Sequence, residues 1–533
     1  MDTSKAVVSR RLFLRAFAFA GASGFISGCA GNQQSGEQPA DGSAGEGYML
    51  SVALPSEPAG LDPAIADSSA AIQVMAQAYE SLLQFGSDSC EPAPCLAELP
   101  EVSADGLTYT FAIRKGIKFH DGSTFDAKAA KQNIERQLGA NRTDSMPLAQ
   151  LAYGSEETKD GIASVEATDA NTLVIKLRAV NAAFAKCMAM CAGVPMVAPS
   201  AFKTAMDNPV GTGPFVFGEW QKGDAILLQR NEEYWDSEGK AHANGLIFRF
   251  VSSDEDRVAA LKNGSIDIAN GLTKSIALSL EGSSCTVSGT MGTGLYYLAC
   301  NTSSKSLADP KARLALFKAL DVPTIVEASM GKCAEYARSI APPHMVENLK
   351  DYQYAGYDEA AAKDELKKLG VSKLSCIVSA GTGTPEEKGT KALADTICGY
   401  LANAGVTVEV EALDAEAFDA RAKAGTYDLC VATCVSRNAD PLPLLEPLAS
   451  KDAVQNIAHF ADEAYNKVVG QVATTQNGPA RTDLVAQCEA IVATQAPWLP
   501  LCYFTNAIAQ TAPVTGAQVN VLGAMRLNTA QKQ

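Results

Sequence analysis

Histidine is scarce in this sequence: four stand among 533 residues, and aromatic side chains make up 7%. A zinc site needs three or four clustered nitrogen or sulfur ligands, and the chain places no two further ligands near either cysteine pair of four-residue spacing, Cys187/Cys191 or Cys430/Cys434. His120 stands beside Asp121, but no nucleophile is spaced near this pair. Glycine-rich nucleotide loops are also missing. The sequence therefore predicts no catalytic residues, no metal site and no cofactor.

Positive charge and long apolar runs are in equally short supply. Acidic residues outnumber basic ones by 60 to 44, and the formal net charge is -16. This balance repels phosphates and disfavours nucleic acid as a partner. After residue 28, no apolar run reaches the roughly 18 residues that span a bilayer. The remaining composition, 47% apolar and 20% charged, is typical of globular domains, about three for this length.

The N-terminus has the pattern of an export signal. Arg10 and Arg11 form a twin-arginine motif ahead of a short apolar segment, residues 16–26. The sequence ISGC then resembles a lipobox, which predicts cleavage before a lipidated Cys29. Residues 29–47 are rich in Gly, Ser, Gln and Ala and predict a flexible tether. We expect a protein anchored by lipid to the extracytoplasmic face of a membrane.

Cysteine, by contrast, is abundant. Setting the predicted lipid anchor aside, thirteen of the fourteen cysteines remain, so at least one is unpaired. Cys90 and Cys95 flank a proline-containing loop and are a candidate disulfide. Cys187 and Cys191 have helical spacing, which leaves their Cβ atoms about 5–6 Å apart, too far for a relaxed bridge. Scattered buried thiols, with a few bridges at most, are the favoured interpretation.

The stretch Asn208–Trp235 predicts a glycine-rich turn and a β-hairpin. Gly211 and Gly213 permit backbone angles that other residues avoid. An aromatic run from Phe215 and the apolar run after Asp224 predict two strands, joined at Gly223-Asp224.

Beyond Val371 the pattern changes to alternating strands and helices, with strands at 374–379, 406–412 and 427–433. This order predicts an open α/β lobe with a largely parallel sheet. Ligands of such sheets bind beyond the carboxyl ends of the strands. The loop at 434–441, which follows the last of these strands, is therefore a candidate binding segment.

Three stretches, in this order along the chain, carry a family resemblance: LAELPEVSADGLTYTFAIRKGIKFHDGSTFDA around 96–126, the hairpin at 207–235, and GYDEAAAKDELKKLG at 356–370. An earlier helix pattern at 65–84 ends in YESLL, as it does in the same family. The sequence resembles the extracellular solute-binding proteins of ABC importers, family 5, whose members carry dipeptides, oligopeptides or nickel complexes.

The resemblance implies an α/β fold of the periplasmic-binding-protein-like type II, with two lobes, a hinge and an inserted α+β domain. It places the boundaries as follows: signal peptide 1–28, tether 29–47, first part of lobe 1 48–87, inserted domain 88–205, second part of lobe 1 206–290, lobe 2 291–500, and return to lobe 1 501–533.

The resemblance also implies candidate ligand-binding residues. The loop around Ser56 and Glu57 is expected at the mouth of the cleft. Tyr297 and Asn301 are expected near the hinge, with packing inside the sheet as the alternative. Arg338 is a second candidate anchor for an anion.

The loop at 434–441 departs from the family. Peptide-binding members carry a Gly-Trp pair followed by an Asp that holds the peptide ammonium group. Aligned on Asp440-Pro441, the Trp position is Cys434 and the Asp position is Arg437. An arginine repels an ammonium and favours a carboxylate or phosphate. The candidate ligand-binding residues of this loop are Ser436, Arg437, Asn438 and Asp440.

These observations predict a lipid-anchored, monomeric, extracytoplasmic receptor that captures a solute between two lobes and delivers it to the permease subunits of an ABC importer. A peptide is the expected ligand; a nickel chelate or a small anionic solute is the alternative. An enzyme exported by the twin-arginine route, and a non-transporting receptor or chaperone on the same fold, are the alternative functions.

Overall fold

The computed structural model describes residues 47–155, 161–350, 352, 354–380, 385–452 and 454–533. The predicted export signal with Arg10 and Arg11, the lipidated Cys29, and the tether up to residue 46 lie outside the described residues. Residues 47–533 form one compact unit, so the domain boundaries proposed above stay predictions.

The β-strands, in chain order, are β1 Met49–Leu54, β2 Leu83–Phe85, β3 Pro92–Pro94, β4 Glu101–Val102, β5 Thr108–Ala112, β6 Ile162–Ala167, β7 Thr172–Leu177, β8 Phe215–Gln221, β9 Ala225–Arg230, β10 Gly245–Phe250, β11 Ile268–Ala269, β12 Thr286–Cys300, β13 Ala334–Tyr336, β14 Lys373–Ser379, β15 Thr407–Leu413, β16 Leu429–Val435, β17 Trp498–Gln510, β18 Val514–Thr515, β19 Gln518–Val519, β20 Met525–Arg526 and β21 Gln531–Lys532.

The α-helices of the described ranges are α1 Ser69–Ala78, α2 Ala127–Glu135, α3 Ala149–Tyr153, α4 Phe184–Cys187, α5 Asp254–Lys262, α6 Lys274–Leu280, α7 Pro310–Lys318, α8 Val322–Met330, α9 Glu359–Leu369, α10 Pro385–Asn403, α11 Ala415–Ala424, α12 Leu442–Ala449, α13 Glu463–Thr474 and α14 Pro479–Gln495. None of these helices is long and apolar enough to cross a bilayer.

One large sheet runs through both lobes. Its strand order is β15-β14-β16-β12-β17-β11-β1-β10-β9-β8, with β13 paired to β17. The lobe-2 strands β15, β14 and β16 are mutually parallel, as the alternation beyond Val371 predicts. In lobe 1, β1 lies parallel to both β10 and β11, and β8 and β9 form the predicted hairpin.

The two longest strands, β12 and β17, connect the lobes. The first half of β12 pairs with the part of β17 that borders β11, and its second half pairs with β16 of lobe 2. Their pairing shifts register between Met291 and Leu295. A Cβ at Gly294 would lie 2.6 Å from the ring of Phe504, so no larger residue fits at this crossing. The glycine-containing segment 292–294, where the pairing is interrupted, is therefore the candidate hinge.

A buried carboxylate joins two of the sequence motifs. Glu80, from the YESLL segment, accepts hydrogen bonds from Thr212 Oγ1, Tyr234 Oη and Trp235 Nε1 at 2.7, 2.7 and 2.8 Å. Burial raises the pKa of Glu80, and these three hydrogen bonds oppose the shift. The segments that resemble the family here thus contribute to one polar cluster inside lobe 1.

Gly211 and Gly213 do not adopt the unusual backbone angles that were predicted for them. Neither has a positive φ. A Cβ at Gly211 would lie 2.1 Å from the carbonyl oxygen of Ala78, and one at Gly213 would lie 2.6 Å from that of Gln77. Close approach to the end of α1, rather than an unusual backbone angle, requires glycine at both positions.

Two local predictions are wrong. Cys90 and Cys95 are buried free thiols rather than a disulfide. Cys95 Sγ lies 3.8 Å from Glu80 Oε1 and points into the polar cluster. The helix expected over 65–84 is shorter, because Ser68 caps α1 at its start and Tyr79 adopts an extended backbone after its end.

A four-stranded antiparallel sheet, β4-β5-β7-β6, lies within the range predicted as an inserted domain. Asp126 caps α2 through a hydrogen bond from Ala129 N. His120 ties this region to lobe 1: its Nε2 donates to Gly213 O at 3.0 Å, and its Nδ1 accepts from Gly211 N at 3.3 Å. The contact at Nδ1 requires the neutral imidazole, because a protonated Nδ1 cannot accept, and burial lowers the pKa of His120.

We expect His120 to make the protein less stable in acid. Because its folded-state pKa is below the usual value, the unfolded state takes up the proton first. The free energy of unfolding then falls as pH drops below about 6.5, by at most about 1.4 kcal/mol per pH unit for one proton. Denaturant unfolding from pH 5 to 8 measures this slope. His120→Gln should flatten it, whereas His242→Gln, at an exposed histidine, should not; equal slopes in all three proteins would contradict the assignment.

Candidate functional site: the cleft between the lobes

A cavity of about 650 Å³ lies between the two lobes. Its walls come from the start of α1 and the loops after β10 and β11 in lobe 1, and from the start of α10 and the loop after β16 in lobe 2. Residues of β12 and β17 that border the hinge, among them Gly294, Tyr296 and Phe504, also line it. The lobe-2 wall thus lies at the carboxyl ends of parallel strands, where a ligand is expected. A volume of this size suits a compact organic ligand.

Arg437 reaches across the cavity to lobe 1. Its Nη1 donates to the backbone oxygen of Asp67 at 3.0 Å, and its Nη2 lies 3.8 Å from the Asp67 carboxylate. The side chain keeps 42% of its surface exposed. A guanidinium has five N–H donors, so this contact leaves donors available for an anionic ligand.

Two further contacts bridge the lobes beside the cavity. Lys388 of α10 pairs with Asp254 of α5 at 3.1 Å. Burial alone would raise the pKa of Asp254, but hydrogen bonds from Thr273 and Lys388 and the charge of Arg257 lower it. Lys274 of α6 donates to carbonyl oxygens near the end of α8. In each bridge a cation of one lobe meets an acceptor of the other, so these contacts stabilise the closed arrangement of the lobes.

The loop that carries Arg437 is held by a buried ion pair. Asp440 is fully buried and binds Arg481 of α14 through two parallel hydrogen bonds of 2.8 Å. Ser436 Oγ donates to Asn438 Oδ1 at 2.9 Å and accepts from Asp440 N at 3.0 Å. The side chains of Ser436, Asn438 and Asp440 hold the loop in place. Of the four loop residues predicted to bind the ligand, Arg437 lines the cavity and these three do not.

The sequence profile of the bacterial extracellular solute-binding proteins, family 5 (middle region), matches residues 91–456. The chain belongs to this family. Its members are binding proteins rather than enzymes, and they act outside the cytoplasm as substrate-binding components of ABC importers.

Relatives of this family-5 protein cover most of its length. It is 28% identical over 479 residues to di/tripeptide-binding protein 1 of Pseudomonas aeruginosa, covering 84% of this chain and 87% of the relative. Among solved structures, HbpA2 from Haemophilus parasuis has a TM-score of 0.77 at 25% identity, covering 91% and 100% of the two chains. The periplasmic binding protein DppA from Helicobacter pylori, in complex with the peptide STSA, has a TM-score of 0.72 at 25% identity, covering 91% and 98%. The type II two-lobe fold is thereby confirmed.

The remaining predicted residues of this family-5 protein lie away from the cavity lining. Ser56 is exposed, and Glu57 accepts hydrogen bonds from Trp220 Nε1 at 2.9 Å and Gly223 N at 3.1 Å on the lobe-1 hairpin. Arg338 is exposed, with its guanidinium 5.9 Å from the ring of Tyr336.

Tyr297 and Asn301 occupy the core of lobe 2. Tyr297 is stacked on Trp498 with ring centroids 3.8 Å apart, and burial raises its pKa. Asn301 Nδ2 donates to the carbonyl oxygens of Gly425 and Tyr427 at 3.0 and 2.8 Å. Both residues thus pack inside the sheet, which was the alternative to a position in the cleft.

Sequence reasoning missed several residues that line the cavity: Asp67, Asp254, Asn270, Lys274, Tyr296, Glu386 and Lys388. Adjacent residues on a strand face opposite sides, but the pattern LYYLACN does not show which tyrosine faces the cleft. The start of α10 could have been predicted, because this helix follows the parallel strand β14 and ligands bind beyond the carboxyl ends of such strands. Within the described ranges, no three His, Cys, Asp or Glu side chains are grouped to hold a metal ion.

We expect Asp440 to be essential for stability. Asp440→Ala leaves Arg481 buried without its carboxylate, so the free energy of unfolding should fall by about 3–5 kcal/mol. Denaturant unfolding measures the loss. Asp364→Ala, at an exposed acid on α9, is the matched control and should change stability by less than about 0.5 kcal/mol. A change as small for Asp440→Ala would show that the ion pair does not hold the loop.

Proposed function

We propose that this protein is a lipid-anchored, monomeric receptor that closes its two lobes around a peptide and delivers it to the permease of an ABC importer. The observation that carries the proposal is the cavity between the lobes, which is lined from both sides and bridged by ion pairs of opposite lobes. The similarity to a di/tripeptide-binding protein of Pseudomonas aeruginosa and to the peptide complex of DppA from Helicobacter pylori supports a peptide as the ligand class.

Arg437 supports a carboxylate as the group that the peptide presents to this wall. It stands where the resemblance places an ammonium-binding acid, and it reverses the charge of that position. Its partly exposed guanidinium can bind a carboxylate through parallel hydrogen bonds while it keeps its contact with Asp67. A small anionic solute, the alternative ligand, would meet the same guanidinium.

Closure follows from differential contacts. In the described part of the chain, β12 and β17 are the strands that the lobes share, so the lobes can rotate about the register shift without breaking either half of the sheet. A ligand that touches both walls stabilises the closed state relative to the open one. The bridges from Arg437, Lys388 and Lys274 add to that preference.

We expect export and lipid anchoring to depend on the N-terminal motifs. Cys29→Ser should release the protein from membranes because no lipidated cysteine forms, whereas Ser27→Ala should leave it anchored. Fractionation after labelling with radioactive palmitate measures both variants. Membrane-bound, labelled Cys29→Ser protein would contradict the proposed anchor, and export unchanged in an Arg10→Lys, Arg11→Lys double variant would contradict the twin-arginine route.

We expect the soluble form, purified without refolding, to carry small peptides. Native mass spectrometry, compared with denatured protein, should show extra masses that denaturation removes. Arg437→Ala should reduce affinity for peptides with a free C-terminus by about tenfold or more, the loss typical of one charged hydrogen bond.

Arg338→Ala, outside the cavity lining, is the matched arginine control and should bind as the wild type does. A single non-peptide mass would replace the peptide proposal with that solute. Unchanged peptide affinity in Arg437→Ala would remove the carboxylate assignment.

A further inference from the structure

Six charged side chains line the cavity, and five of them are engaged. The cations Arg437, Lys388 and Lys274 each bridge to the opposite lobe, and Asp67 and Asp254 accept two of these bridges. The sixth is Glu386, in the first turn of α10. It is exposed and has no hydrogen-bond or ion-pair partner among the residues that the structure describes. Among the described residues that line the cavity, Glu386 is thus the carboxylate without a partner, and Lys274 meets only carbonyl oxygens.

Tyr296 lies beside this carboxylate. The side chain is buried to all but 4% and packs on Phe504 with ring centroids 4.6 Å apart. The first turn of α10 approaches it closely, since a Cβ at Gly389 would lie 2.8 Å from its hydroxyl oxygen. That hydroxyl makes no hydrogen bond with any described residue, and burial together with the charge of Glu386 raises the pKa of Tyr296. An uncharged phenol without a hydrogen-bond partner and an unpartnered carboxylate thus line the same cavity, and the phenol faces the helix turn that carries the carboxylate.

Lobe 1 contributes a third side-chain oxygen to the lining of the same cavity. Asn270 lines the cavity and is 6% exposed, and its amide oxygen is buried without a partner in the described part of the chain. Its neighbour Gly271 faces the start of α10, because a Cβ there would lie 3.8 Å from Pro385 Cγ. A buried carbonyl oxygen without a donor costs stability, and a ligand donor would remove that cost.

We propose that Glu386, Tyr296 and Asn270 form a subsite for a primary ammonium group of the ligand. An ammonium has three N–H donors and no acceptor, and the three side chains offer three oxygens from both lobes. The carboxylate of Glu386 compensates the positive charge of the ammonium group, which Arg437 would repel. The subsite is complete only when the lobes close, so it contributes to closure as well as to selectivity.

This inference rests on the proposed peptide-binding function and adds the orientation of the ligand. The ammonium end lies at the start of α10, and the carboxylate end lies at Arg437. The family resemblance places the ammonium at the position of Arg437 instead, so the two arrangements predict opposite effects of substitutions at Glu386.

The test uses the soluble mature protein and isothermal titration with dialanine, trialanine and tetraalanine, each with a free or an acetylated N-terminus. We expect acetylation to weaken wild-type binding by about tenfold or more, because a charged hydrogen-bonded group is lost. Glu386→Gln should weaken binding of the free peptides to a similar degree and leave the acetylated ones unchanged, and Tyr296→Phe should have a smaller effect in the same direction. Asp395→Asn removes an exposed charge from the same helix and should bind as the wild type does.

The outcomes separate the subsite from the function. Free and acetylated peptides that bind equally to the wild type, or unchanged affinity in Glu386→Gln, would overturn the ammonium subsite while peptide binding stands. If no free peptide binds the wild type and native mass spectrometry shows no peptide, the peptide-binding function falls and the subsite falls with it. Circular dichroism of each variant confirms that a loss of binding does not come from misfolding.

Discussion

The pairing of β12 with β17 is the constraint on which the rest of the structure depends. Both strands cross from one lobe to the other, and each half of their ladder belongs to a different lobe. Their register shifts where Gly294 packs against Phe504, so the sheet can bend there while its hydrogen bonds persist on either side. The cavity lies at this bend, which couples ligand contact directly to lobe position.

Charged side chains of opposite lobes make contacts across the cleft. Arg437 meets Asp67, Lys388 meets Asp254, and Lys274 meets the carbonyl end of α8. Such contacts are individually weak in water and easily exchanged for ligand groups, which suits a receptor that must both close and release. The unpartnered carboxylate of Glu386 and the positive charge at Arg437 place groups of opposite sign in the lining of one cavity.

Buried polar groups account for much of the sequence pattern that resembles the family. Glu80 gathers hydrogen bonds from three side chains of the segment 212–235, and the Asp440–Arg481 pair holds the loop behind Arg437. Removal of one partner from such a cluster leaves an uncompensated buried group, which is why their residue types are restricted. Motif residues here mostly position the ligand-facing ones.

By itself, the sequence determined the elements whose causes are local. The hairpin turn at Gly223-Asp224 and the alternation beyond Val371 depend on neighbours a few residues away. Only the tertiary structure decided which side chains meet. Arg437 and Asp67 lie 370 residues apart, and the choice of Tyr296 over Tyr297 for the cleft depends on which face of β12 the other lobe covers. Those contacts arise from the packing of distant segments, which the local pattern does not contain.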